Sequence, residues 1–472
     1  MSAPLLAAGA LAFAAALAVG VRNWRWSLYA LLAYIPVSGI LITAAYGERA
    51  ERAAAVLAKD YLFVVPAYVG FAVWALPRRR ALGAPGGRLL LALLGGLAVL
   101  AVAQAFNPSL PNYLVGAIGL KIWVFYLPLF VLGYHLVRTR GELRFLLGLM
   151  SVTALIPAII GLVEAGLVYS GHEDVVYRVY GDAAGAVTQG YVGFALPSGA
   201  VLKRIPSTFS SFYQYYTFLG SMLAVSYAWS RWQAERGGRV AFAIAAWLLV
   251  LAASFLVGVR TSFFLIPVLL VLIVLLDRGF ARRPNVRTSV AAAATAVVLL
   301  GVTGALATGV YEHAAEAARQ EFGDVIVDSP RDAVAVTWVG RGAGIDSTAS
   351  RYAFGSDEEF VHATYPLIGG RTHESWYVKT YVELGALGLA LVVVLLGVLV
   401  VRLLKLHVRL RRPELQATSA AFLALLLWVL IYGFKAPYVD LDPLNVYFWL
   451  FAGLLFRLPS LDRAGPVAEE PA

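Results

Sequence analysis

One arginine interrupts a stretch that is otherwise almost wholly apolar: Arg260, in SFLVGVRTSFFLIPV. A charge in such a setting either snorkels to lipid phosphate or serves a ligand, and the functional reading is preferred. A guanidinium is planar, permanently charged and suited to bidentate phosphate contact. Arg204, in KRIPSTFSSFYQYY, is a second candidate cation. Pro206 fixes the chain beside it, and the Ser and Thr hydroxyls offer neutral donors. Equally, Arg204 could anchor at the membrane interface beside Tyr213, Tyr215 and Tyr216. His373 opens HESWYVKTYVELGALGLAL. Histidine is the natural general base near neutral pH, though at a helix entrance it is also an ordinary polar cap. Lys121, in VGAIGLKIWVFYLPLF, costs at least ~2.5 kcal/mol if held in hydrocarbon. It either snorkels or joins an anion site, with Glu164 as a potential partner. Lys379 and Glu383 are four apart and can pair along one helix. The run Asp357, Glu358, Glu359 lacks metal-ligand spacing and reads as solvated loop.

The elements that hold these residues follow from composition. Of 472 residues, 60% are hydrophobic and 14% charged. A soluble domain carries about 25% charged residues, so this chain cannot cover its own surface in water. That excludes a soluble enzyme, a disordered chain and a disulfide scaffold, and leaves a polytopic membrane protein. With no cysteine, there is no thiolate metal site and no cysteine nucleophile. The formal net charge of +10 reads as basic cytoplasmic loops, with no nucleic-acid partner.

A hydrocarbon core of about 30 Å needs about 20 apolar residues as helix. Apolar runs predict spans at 3–21, 27–46, 61–77, 88–106, 113–137, 143–169, 209–230, 240–259, 261–277, 289–309, 376–402, 415–434 and 443–457. The expected fold is an all-α transmembrane bundle of about 12–14 spans. Alternate loops are basic. They carry Arg22 and Arg25; Arg78 to Arg80 and Arg88; Arg138, Arg140 and Arg144; Arg231, Arg236 and Arg239; Arg278, Arg282, Arg283 and Arg287; and Arg402 to Arg412. The positive-inside rule puts these in the cytoplasm. Segments 47–60, 170–208 and 310–375 then face outward. The organisation expected is a bundle of about ten spans over 1–309, a folded loop over 310–375, C-terminal spans over 376–458 and a disordered tail over 459–472. Within the large loop, 312–322 reads as an amphipathic helix.

This topology gathers Arg204, Arg260 and His373 at the outer face. Two fixed cations and one base suit a lipid-linked diphosphate leaving group. The base takes the proton of an attacking sugar hydroxyl, while the arginines stabilise charge on the departing diphosphate.

These segments also resemble a known family. HESWYVKTYVELGALGL is similar to the hallmark of the O-antigen ligase and polymerase superfamily: a histidine, then Gly-x-x-Gly, here Gly385 and Gly388. VGRGAGIDS resembles the glycine-rich stretch of the same loop. RIPSTFSSFYQYYTFL and VGVRTSFFLIP resemble its two arginine segments, and KDYLFVVPAY and GLKIWVFYLPLF its earlier spans. Glu374 stands where Asn or Ser is common, Val259 replaces a serine, and one N-terminal span is extra. The resemblance covers most of 45–400 and is to the superfamily, not to its ligases alone.

The resemblance implies a GT-C-type glycosyltransferase of a bacterial inner membrane with its active site on the periplasmic face. It implies an undecaprenyl-diphosphate-linked glycan donor, a glycan or lipid A core acceptor, and neither cofactor nor metal. Carried over by position, His373 activates the acceptor, and Arg204 and Arg260, with Lys121, bind diphosphate. Arg341, Glu374, Glu383 and Tyr213 are supporting candidates. A transporter of the same superfamily, for bicarbonate, an ion or a lipid-linked sugar, is the alternative. Such a protein would show broken helices with ionisable groups near the midplane. A cell-wall glycan polymerase would instead need an outward aspartate, such as Asp346 or Asp357.

Because the chain has no cysteine, sidedness is directly testable with single introduced cysteines. A cysteine at Arg138 should react with an impermeant maleimide only in permeabilised cells, and one at Asp182 in intact spheroplasts. The reverse pattern would invert the topology.

Overall fold

The computed structural model describes residues 3–45, 49–78, 85–191, 194–195, 201–235, 239–259, 261–277, 330, 333–334, 337–354, 357–368 and 375–463. The expected span 289–309 and the helix 312–322 lie outside these residues, as do Arg260, His373 and Glu374.

The chain is a polytopic helical membrane protein. Among the described residues eight helices are long and apolar enough to cross a bilayer: Trp24–Ala44, Glu51–Ala75, Gly87–Ala105, Tyr113–Leu136, Arg140–Tyr169, Trp376–Arg409, Pro413–Tyr432 and Leu444–Arg463. Ala7–Arg22, Val240–Leu256 and Ser262–Leu276 are apolar but shorter. The helix Phe212–Glu235 is long but diluted by polar residues, and is buried over most of its length. A pair of two-residue strands, Phe194–Ala195 and Val201–Leu202, is antiparallel.

Helix starts follow side-chain chemistry. Asn23 and Asn112 accept from the N–H groups of Arg25 and Leu114. At the head of Arg140–Tyr169, Thr139 accepts from the Glu142 N–H while Glu142 accepts from the Arg138 N–H. This variant of the capping box satisfies donors that the first turn leaves open.

Contacts divide the molecule into two compact units, each built from three stretches of chain. One holds Met1–Gly83, Leu136–Tyr311 and Arg412–Ala421; the other holds Ala84–His135, Glu312–Arg411 and Phe422–Ala472. In the first, Ala3–Arg22 packs on Val65–Ala75. Gly20 and Gly70 face each other there so closely that a Cβ on Gly70 would overlap the Gly20 carbonyl. Small residues at such crossings let lipid-embedded helices gain dispersion and backbone contact.

The second unit contains an interrupted helix. Within Trp376–Arg409, Gly385 adopts φ 75°, ψ −177°, a conformation essentially limited to glycine. In an unbroken helix the Val382 carbonyl would accept from the Ala386 N–H. Here each finds a partner in the glycine-rich loop. The Arg341 N–H donates to Val382 O at 2.8 Å, and the Ala386 N–H donates to Trp338 O at 3.0 Å. The Gly342 N–H adds a bond to Glu383 O at 3.2 Å. Irregular backbone survives near the membrane only when every polar group is satisfied, and the loop does this for the break.

The loop is fixed from its other side as well. Gln104 Nε2 donates to Val339 O at 2.7 Å, Asn107 Nδ2 donates to Gly340 O at 3.3 Å, and the Ala343 N–H donates to Gln104 O at 3.0 Å. Gly119 lies against Ala343, and Gly344 against Val115 and Gly119. Residues Gly342 to Ser347 are buried as a result.

Gly385→Ala should lower stability by about 1–3 kcal/mol, because φ is positive and the new Cβ would overlap the Val339 carbonyl. Gly397→Ala, on the same helix but facing open space, should be neutral or stabilising by up to about 1 kcal/mol. Thermal unfolding of the two purified variants in one detergent checks the contrast.

Candidate functional site

Arg204 is set in place by its backbone. The Ile205 N–H donates to Val257 O at 3.1 Å. Gly258, with φ 74°, sits so close to Lys203 and Arg204 that any side chain there would strike their backbone. The Arg204 segment therefore rests on the two residues that precede Val259, and Arg260 follows next in sequence. Two arginine segments separated by some fifty residues are thus joined in one unit. The Arg204 guanidinium stands 4.6 Å over the Phe212 ring. It has no hydrogen bond and no carboxylate partner among the described residues, whereas neighbouring Lys203 pairs with Glu173. A half-buried arginine beside an aromatic face, with donors not spent on the described residues, has the chemistry to hold an anion. Tyr213 is half-buried next to Phe212.

Glu164 holds the segment that carries Arg204. Sequence suggested Lys121 as its partner. Instead, its carboxylate accepts from Tyr191 Oη at 2.8 Å and from the Ser207 N–H at 2.9 Å, with Tyr180 Oη at 3.3 Å. Tyr180 Oη also donates to Ser207 O at 2.7 Å. Burial, and then the Glu164 carboxylate, push the Tyr180 and Tyr191 phenols well above their usual range, so both remain protonated donors. Three non-glycine residues among those described have positive φ: Gln189, Tyr191 and Ser207. Two of them donate to Glu164. Backbone held in a sparsely populated region persists only where surrounding contacts over-determine it, and such sites cluster at functional positions.

The second unit buries a network of charges. Glu383, fully buried, accepts from Trp123 Nε1 at 2.6 Å, from the Asp346 N–H at 3.1 Å and from Lys379 Nζ at 3.3 Å. The expected pair along one helix therefore exists, but it is part of something larger. Lys379 Nζ lies 2.7 Å from Asp440 and 4.8 Å over the Trp123 ring. Trp376 Nε1 donates to Asp440 at 3.0 Å and its ring stacks on Trp123. Asp346 in turn pairs with Arg351. Trp123 comes from a π-helical turn, Lys121–Phe125, which begins at Lys121 and turns the indole inward. Nε of Arg341 is buried without a hydrogen-bond partner among the described residues.

Of the candidates drawn from sequence, the structure places Arg204, Tyr213 and Glu164 in one unit and Lys121, Arg341 and Glu383 in the other. Arg260, His373 and Glu374 lie outside the described residues. His373 precedes Ser375 and Trp376 by two and three positions, so the chain leaves that segment directly into the Trp376–Asp440 bond. Sequence reasoning missed Trp123 and Asp440. The available signals were an indole two residues from a suspect lysine, and an acid in the short loop KAPYVDLDP.

Lys379→Met should destabilise the protein by about 3–5 kcal/mol, because it leaves two buried carboxylates without their cation. Adding Asp440→Asn should recover part of that loss. Equal melting temperatures for the single and double variants would show that the pair is uncoupled.

No family model, curated protein or solved structure matches the chain.

Proposed function

We propose that the chain is an extracytoplasmic glycosyltransferase that moves a glycan from undecaprenyl diphosphate to an acceptor hydroxyl, as an O-antigen ligase or surface-polysaccharide polymerase. The observation that carries this reading is the docking of the Arg204 segment on Val257 and Gly258, beside the chain that leads to Arg260, with Arg204 unpaired among the described residues. Two permanent cations suit a diphosphate better than one, because the charge that develops on leaving is spread over several oxygens.

In the proposed reaction, His373 removes the proton from the acceptor hydroxyl. The oxygen attacks the anomeric carbon, the bond from that carbon to the diphosphate oxygen breaks, and the arginines hold the released diphosphate. The interlock of VGRGAGIDS with the helix that carries Gly385 supports the reading further. It brings together two segments on which the family resemblance rests.

A transporter is the second reading, favoured by the broken helix and the buried Lys379–Glu383–Asp440 group. Length argues against a midplane site. From Ala386 the uncharged run to Val401 extends about 24 Å at 1.5 Å per residue, most of a hydrocarbon core of about 30 Å. The break therefore falls near one boundary, as an enzyme working at one surface requires.

A reconstituted assay with undecaprenyl-diphosphate glycan tests the proposal. Product formed only with lipid A core would identify a ligase, and a ladder of lipid-linked chains without it a polymerase. No release of undecaprenyl diphosphate by well-folded protein would favour transport. Arg204→Ala should lower turnover about 100-fold, comparable to losing one oxyanion donor. Arg204→Lys should restore only part of it, since a point charge lacks the bidentate fork. His373→Ala should slow transfer while donor binding survives.

A further inference from the structure

A groove of about 600 Å³ runs along Arg140–Thr153 where that helix meets Phe212–Glu235. Its lining is ordered along the helix axis. At one end Arg144 donates to Gln233 Oε1 at 3.1 Å, which is the guanidinium's one hydrogen bond among the described residues. Among the described residues no carboxylate neutralises it. Glu142, two residues away, accepts from the Arg138 N–H instead.

One turn on, about 6 Å deeper, Gly148 faces Trp229. A Cβ on Gly148 would come within 3.1 Å of the Trp229 indole nitrogen. Trp229 is only 7% exposed, and its N–H has no acceptor among the described residues. Beyond it the groove is apolar, with Leu149 and Val152. Phe145 and Val152 are 54% and 46% exposed, open to surrounding lipid.

The sequence of groups is a cation, then an indole N–H one turn deeper, then a mostly apolar floor. This matches a phosphate, an ester carbonyl and an acyl chain in the same order. Glu164 lies twenty residues further along the same membrane-spanning segment, about 30 Å away at helical rise, so the groove opens at the opposite end from Arg204. That end carries Arg138, Arg140 and Arg144, the basic side assigned to the cytoplasm. Basic pockets between helices on that side recruit anionic headgroups.

We propose that this groove binds an anionic glycerophospholipid of the cytoplasmic leaflet. Its phosphate is held by Arg144, its ester carbonyl by Trp229, and an acyl chain lies along Gly148 and Val152.

Native mass spectrometry of the intact purified chain tests this, titrating dioleoyl phosphatidylglycerol against dioleoyl phosphatidylcholine. Phosphatidylglycerol should be retained preferentially, and Arg144→Ala should weaken it about fivefold and phosphatidylcholine by less, because choline already offsets that lipid's phosphate charge. Trp229→Phe keeps the ring and removes the donor, so it should weaken both lipids by a smaller factor without loss of fold. Equal retention of the two lipids by the native chain, or undiminished phosphatidylglycerol binding by Arg144→Ala, would overturn the proposal. Displacement by free glycerol phosphate at equal concentration would also overturn it, by showing a phosphate site that ignores the acyl chain.

Discussion

The exchange of backbone hydrogen bonds between Trp338–Gly342 and Val382–Ala386 is the constraint on which the second unit depends. A helix that breaks beside the hydrocarbon exposes a carbonyl and an N–H that water does not reach, at several kcal/mol for each unsatisfied group. The loop supplies both partners, and it approaches closely enough only because Gly340 and Gly385 carry no Cβ, while Gly342 and Gly344 admit the residues on its other side. Once the break is satisfied, Glu383 faces inward, and the Lys379–Asp440–Trp376 chain can form around it.

The two units restrain carboxylates in different ways. Glu164 is held by neutral donors, two phenols and one backbone N–H, with no cation among its described partners. Glu383 and Asp440 share a lysine, and each also accepts from an indole. The first arrangement leaves the nearby cation, Arg204, without an ion pair among the described residues. The second consumes its own cation, so Lys379 has little positive charge to offer a ligand. On this contrast rests the proposal that ligand-directed charge belongs with Arg204 rather than with the lysine network.

Much of the helix pattern was legible in the sequence, because long apolar runs leave few alternatives to membrane-spanning helices. The Lys379–Glu383 pairing was legible too, from spacing alone. The break at Gly385 was not. A glycine within an apolar helix is ordinary, and only the loop seated against it compels the unusual backbone. Glu164 was assigned the wrong partner for a similar reason. Charge opposite charge is the simplest match, whereas two tyrosines and a strained Ser207 are brought to it by a fold of the 170–208 segment that no local pattern encodes. The proximity of Arg204 to the chain before Arg260 could be guessed from topology, but its cause, Gly258 under Lys203, could not.

The interlocked loop has a consequence for biosynthesis. Residues 338–342 leave the ribosome before the helix that completes them, and their partners at 382–386 arrive only after about forty more residues are made. Until then the glycine-rich loop can be seated on one side only, against Gln104, Asn107 and Gly119. The helix, for its part, gains the partners that hold Gly385 in its broken conformation only when the loop docks. This unit therefore closes late, after insertion of its C-terminal spans, and its maturation is a step of assembly within the bilayer separate from insertion itself.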